Sequence, residues 1–121
     1  MIGYVTIGAN DFEKSKKFFD TVLMGLDGKR TMTMERMQGY GSGKGPMLAV
    51  CMPYDGKAAS GGNGTMVALA APSREAVDKV HADALAAGGT DEGAPGLRGD
   101  TFYGAYFRDL DGNKFCVFKI G

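Results

Sequence analysis

The sequence predicts an α+β fold of two βαβββ modules, their strands forming a curved mixed sheet with the helices on its outer face. Three observations carry this. A short apolar strand, a polar stop and an amphipathic helix occur in that order from Tyr4 to Leu26 and again from Met66 to Ala87. The second copy follows the first at a constant offset of 62 residues, Tyr4 matching Met66 and Asp11 matching Ser73. Each helix is then followed by short strand-like runs separated by turn residues. A chain of 121 residues is one compact domain by size. Module one is placed at about 1–54, a linker at about 53–63 and module two at about 64–121.

Taken in order, Ile2–Gly8 reads as a buried strand rich in β-branched residues and ended by glycine. Asn10 or Asp11 caps a helix over Phe12–Leu26, with Glu13 at capping-box spacing from Asn10. Phe12, Phe19, Val22, Leu23 and Leu26 form its buried stripe. Thr31–Glu35 alternates Thr and Met as a half-buried strand does. A weaker strand covers Arg36–Tyr40, and Gly41–Pro46 turns the chain into a fourth strand, Met47–Met52. Pro53–Asn63 holds Pro, Asp, Ser and three Gly, the composition of a linker. Thr65–Ala71 is the fifth strand. Ser73 caps the second helix, whose stripe is Val77, Val80, Ala84 and Leu85, and Gly88-Gly89 ends it. Thr90–Asp100 reads as a loop with at most a short strand. Phe102–Arg108 and Lys114–Ile120 form a hairpin around Asp109–Asn113.

Composition excludes several classes. Lys plus Arg and Asp plus Glu number 14 each, so net charge is zero and no excess positive charge favours nucleic acid. Met1-Ile2-Gly3-Tyr4 has neither a basic segment nor a long apolar run, so no signal peptide is expected. The longest apolar runs are too short to span a bilayer. Two cysteines make no secreted disulfide framework, and a cytoplasmic location with reduced thiols is the expectation.

Strand alternation divides each strand between the helix side and the open side. Val5, Ile7, Leu48, Val50, Val67, Leu69, Phe115 and Val117 suit the helices. The open face then carries Tyr4, Thr6, Met47, Ala49, Cys51, Met66, Ala68, Cys116 and Phe118. This floor is mostly apolar, with sulfur atoms and no carboxylate or imidazole. A curved sheet with such a face forms a cleft suited to an organic ligand or a partner chain.

The chain resembles the vicinal-oxygen-chelate superfamily over nearly all its length. The marks are Tyr4-Val5-Thr6-Ile7-Gly8, Asn10-Asp11-Phe12-Glu13-Lys14-Ser15 with Phe18-Phe19, and Gly64-Thr65-Met66-Val67-Ala68. The closing Asp109-Leu110-Asp111-Gly112-Asn113-Lys114 is similar to that family's Asp-Pro-Asp-Gly-Asn turn, with Leu110 in place of Pro. The family includes glyoxalase I (lactoylglutathione lyase), extradiol dioxygenases, and fosfomycin and bleomycin resistance proteins. The resemblance implies the two-module fold, a homodimer and a cleft often completed across the subunit interface. It also places the metal-ligand positions of the metalloenzymes at Tyr4, Cys51, Met66 and Cys116. Glyoxalase I-like enzymes fill such positions with His, Gln or Glu around Zn²⁺ or Ni²⁺. Phenol, thiol and thioether are poor substitutes toward hard cations, so no cofactor is expected, with a divalent metal left open.

Other residues carry narrower readings. Cys51, Cys116 and Met66 suit a soft metal such as Cu(I) or Zn²⁺, against the simpler reading of small buried hydrophobes and a cleft filler. His81, the one histidine, is placed off the apolar stripe of its helix as a partly exposed surface residue. Glu35 is a candidate base or polar anchor if Thr31 and Thr33 share its strand face, and is otherwise a solvated strand end. Tyr103 and Tyr106 fall on opposite faces, so one of the two lines the cleft. Arg98, in the loop Gly96–Asp100, is placed to close over an anionic ligand or to stand free in solvent. Gly39–Gly45 fails as a phosphate loop, Gly41–Pro46 as a dinucleotide fingerprint and Asp109–Asn113 as a calcium loop. The leading expectation is a metal-independent binder of a small organic molecule. The alternative is a lyase, isomerase or dioxygenase related to glyoxalase I, and catalytic residues are otherwise unassigned.

Overall fold

Apolar β-branched runs and two capped helices set the element order. The computed structural model describes residues 1–121. Module one is β1 (Tyr4–Gly8), α1 (Phe12–Val22), a 3-10 turn (Leu23–Leu26), β2 (Lys29–Thr33), β3 (Met37–Gly41) and β4 (Met47–Cys51). Module two is β5 (Val67–Ala70), α2 (Arg74–Ala86), β6 (Thr90–Leu97), β7 (Phe102–Arg108) and β8 (Lys114–Ile120). The α+β architecture of two βαβββ modules is therefore present, and each module has its own four-stranded sheet. The orders are β1-β4-β3-β2 and β5-β8-β7-β6. In each, the first strand pairs parallel with the last and the remaining ladders are antiparallel. β1 and β5 are consequently free edges. No helix is long and apolar enough to cross a membrane.

Several local readings need correction. Asp11, not Asn10, caps α1 by accepting from the Lys14 N–H at 3.1 Å. Asn10 instead accepts from the Ala59 N–H at 2.8 Å and so fastens the linker. The α-helix ends at Val22, and its last turn tightens to 3-10 geometry before Asp27 in the left-handed region. The stretch read as a loop, Thr90–Asp100, contains an eight-residue strand. Asp, Glu, Pro and Gly hide it locally, but pairing to β7 imposes it, with two register shifts. Pro95 is tolerated because β6 is an edge strand. His81 is 6% exposed, not a surface residue. It shares the buried side of α2 with Val77, Val80 and Ala84, and its Nε2 meets Asp91 Oδ1 at 3.0 Å. The hydrogen bond from the Gly93 N–H, with that from His81, holds the Asp91 carboxyl below its usual range.

One core serves both modules. Phe19 of α1 is fully buried, its ring 6.2 Å from Tyr40 in module one and 5.5 Å from Phe115 in module two. Phe115 in turn stacks on Phe107 at 5.4 Å. The closing turn of module two supplies a polar joint. Asp109 is buried, and its Oδ1 accepts from the N–H groups of Asp111 and Asn113 at 2.9 and 2.8 Å. Asn113 Nδ2 donates to Asp109 Oδ2 at 2.8 Å and to the Gly8 carbonyl of β1 at 3.0 Å. The Asn10 N–H adds a bond to Asp111 Oδ1 at 2.9 Å. Burial pushes the Asp109 carboxyl above its ordinary range, against the pull of these donors.

Candidate functional site

The side of each sheet turned away from the helices carries the candidate site. In module one, Tyr4 lies opposite Met47, Thr6 opposite Ala49 and Gly8 opposite Cys51 in the β1–β4 ladder. Tyr4 is 54% exposed, Thr6 exposed, and Met47 and Cys51 half-buried. Met47 Sδ accepts from the Thr31 hydroxyl at 3.1 Å. Thr33, by contrast, hydrogen-bonds Gln38 Oε1. The register shift between Arg30 and Thr33 separates the two threonines. Glu35 then falls beyond the end of β2, exposed in the turn to β3.

Module two concentrates more chemistry. Cross-strand partners share a face, and Tyr106 pairs with Cys116, Arg108 with Lys114 and Ala68 with Cys116. Cys116 is buried beneath this face, directly across the ladder from Tyr106. Burial raises the thiol above its ordinary range, outweighing Tyr106, Arg98 and Lys114, so at neutral pH it is protonated and unsuited to nucleophilic attack. Burial also raises the Tyr106 phenol. Phe118 lies opposite Gly104, where a Cβ would meet the Phe102 ring at 2.6 Å. Without one, the Phe102 ring lies over the glycine and stacks on Phe118 at 5.3 Å and 9°. The Arg98 guanidinium sits over the Tyr106 ring at 5.5 Å. Tyr103 goes to the helix side, packing on the core and donating to Asp78 of α2 at 2.6 Å. Tyr106 alone of the pair lines the open face.

Arg98, Tyr106, Cys116 and Phe118 are thus brought together, with Phe102, Lys114 and the Arg108–Glu92 ion pair added to them. The alternation that placed Cys116 on this face also places Lys114, two residues earlier. Phe102 had its signal in Gly104. Between the free edges of β1 and β5 runs an apolar groove of about 370 Å³, lined by Ile2, Val5, Met47 and Met66 among others. Met66, 44% exposed, stands just before β5 at its rim.

The model of the Glyoxalase/Bleomycin resistance protein/Dioxygenase superfamily matches residues 1–117. The chain belongs to this superfamily. A crystal structure of a glyoxalase/bleomycin resistance protein from Albidiferax ferrireducens is 38% identical, covering 100% of this chain and 99% of that one at a TM-score of 0.93. A family enzyme from Burkholderia phytofirmans is 21% identical, with 98% of each chain covered and a TM-score of 0.80. A glyoxalase-related enzyme from Fulvimarina pelagi is 18% identical over 98% of this chain and 87% of that one, at a TM-score of 0.78. These last two show the shared fold alone. Among proteins of curated function, none matches the chain by sequence.

The superfamily's divalent metal centre does not fit the residues at its expected positions. Tyr4 and Cys51 stand four register positions apart on the β1–β4 ladder, roughly 13 Å along the strands. The four side chains are a phenol, two thiols and a thioether, and Cys116 is held as the thiol. No three His, Cys, Asp or Glu side chains gather anywhere in the chain. Arrangements of this kind suit apolar and aromatic contacts, not chelation of a hard cation.

Proposed function

We propose that this superfamily member binds a small organic molecule on the open face of its second sheet, without the family's metal. What supports this reading is the poor chelating chemistry of Tyr4, Cys51, Met66 and Cys116 together with an aromatic surface of Phe102, Tyr106 and Phe118 laid over the buried Cys116. A planar apolar ligand gains from burial of its surface and from stacking on these rings, the latter about 0.5–1.5 kcal/mol per aromatic pair. Protein purified without a tag is expected to carry substoichiometric nickel, zinc and iron by elemental analysis. A stoichiometric divalent ion lost in Cys51→Ala or Cys116→Ala protein would overturn the reading. Hemithioacetal turnover with added Ni²⁺ or Zn²⁺ tests the lyase alternative, and the expected result is no turnover above the metal alone. The free cysteines fit the cytoplasm.

The working form is a homodimer. The support is the pair of free strand edges at β1 and β5, with Ile2, Tyr4, Val5 and Met66 exposed along the groove between them. Exposed apolar residues on an unpaired edge are a liability that a second copy removes. Sedimentation should give twice the 12.7 kDa chain mass, and Val5→Asp should weaken the dimer by about tenfold or more, since an isolated buried carboxylate is costly. A wild-type monomer at micromolar concentration contradicts this part of the reading.

A further inference from the structure

Arg98 is held in an unusual way for an exposed cation. Its Nη1 donates to the carbonyls of Gly96 and Gly104 at 2.8 and 3.0 Å, and its Nη2 to that of Ala94 at 2.7 Å. Carbonyls fix the guanidinium but leave its charge uncancelled, and its Nε–H is without a protein acceptor. Gly93 and Gly96 make room for it, since a Cβ at either would come within 3.2 Å of a guanidinium nitrogen. Lys114 lies on the same face, its Nζ 5.8 Å from the Tyr106 ring that Arg98 also covers. Neither cation has a carboxylate within ion-pair distance, and the nearby Glu92 is taken by Arg108. Two uncompensated positive charges around one ring repel each other. On the same face, further along β7 and β8, lies the flat Phe102–Phe118 stack.

We propose that the ligand of this face is an organic anion, a carboxylate or similar oxyanion seated between Arg98 and Lys114 with its aromatic or apolar body on Phe102 and Phe118. The proposal rests on the ligand-binding reading above and adds the chemical class of the ligand. A fixed guanidinium presents donors without losing side-chain freedom on binding, which favours an oxyanion over a neutral group of the same shape. The lysine adds a mobile second charge.

Binding of naphthoate and of its uncharged amide, naphthamide, is compared by calorimetry on the full chain. The acid is expected to bind about tenfold tighter at low ionic strength, and this preference should shrink as salt rises. Arg98 anchors β6 through its carbonyl bonds, so the discriminating variant is Lys114→Met, which removes charge from a side chain that makes no hydrogen bond. It should lose most of the preference for the acid while keeping its affinity for the amide and its thermal midpoint. Equal binding of acid and amide by the wild type overturns the anion proposal and leaves the ligand-binding reading standing. An unchanged preference in Lys114→Met overturns the assignment of Lys114. Binding of neither compound at millimolar concentration counts against both readings.

Discussion

Replacing Phe19 by alanine is expected to lower the free energy of unfolding by about 3–5 kcal/mol, a large share of the roughly 5–15 kcal/mol typical of a domain. The ring is fully buried between Tyr40 of module one and Phe115 of module two. Its removal takes away apolar burial and leaves a cavity that two sheets and two helices cannot collapse around. Because the ring touches both modules, denaturation should remain one cooperative transition with a lower midpoint and an unchanged slope. Amide exchange is the sharper measurement. Protection should fall in β3 and β8 together, and loss confined to module one would show that the modules are stabilised separately.

The second large effect is expected at the polar joint. Asn113→Ala removes the donors to the Gly8 carbonyl and to Asp109 Oδ2, leaving a buried carboxylate short of a partner. The cost is about 2–3 kcal/mol near neutral pH. Its pH dependence has a definite sign. The folded Asp109 carboxyl already titrates above its ordinary range because burial disfavours its charge, and losing a donor raises it further. A raised folded value means that this group's contribution to stability is fully present below the unfolded carboxylate pKa and is lost as pH rises through the folded one. The variant's deficit should therefore be largest at neutral pH and shrink below about pH 4, where the carboxyl is protonated in both states. Unfolding curves across that range check it. A deficit that does not vary with pH would mean that Asp109 is not the group left exposed by the change.

These expectations draw unequally on sequence and structure. The helices were legible because their signals are local: Asp11 and Ser73 cap through their own turns, and Phe19, Val22, Val77 and Val80 repeat at helical spacing. Strands β1, β4, β7 and β8 were legible for the same reason, as apolar runs ended by turn residues. β6 was not, since its Asp, Glu, Pro and Gly carry no alternation and the strand exists through its ladder with β7. Nor was the burial of His81, which depends on Asp91 arriving from β6 to accept its hydrogen bond.

The candidate site divides in a similar way. Alternation along a strand is a property of the backbone, so the open-face positions of Cys116 and Phe118 could be read directly. Choosing between Tyr103 and Tyr106 needed the position of α2, whose Asp78 holds Tyr103 on the other side. The fate of Glu35 turned on a bulge that reverses the facing of Thr31 and Thr33, and bulges leave little trace in composition. The sequence by itself determined the repeat, the module order and which residue types occupy the chelating positions, because these depend on spacing and side-chain chemistry alone. Tertiary structure decided that one core joins the modules, that Tyr4 and Cys51 stand apart, and that Arg98 and Lys114 meet at one aromatic ring. Each of those facts rests on contacts between distant segments, and it is the packing of strands and helices against one another that brings such segments within reach.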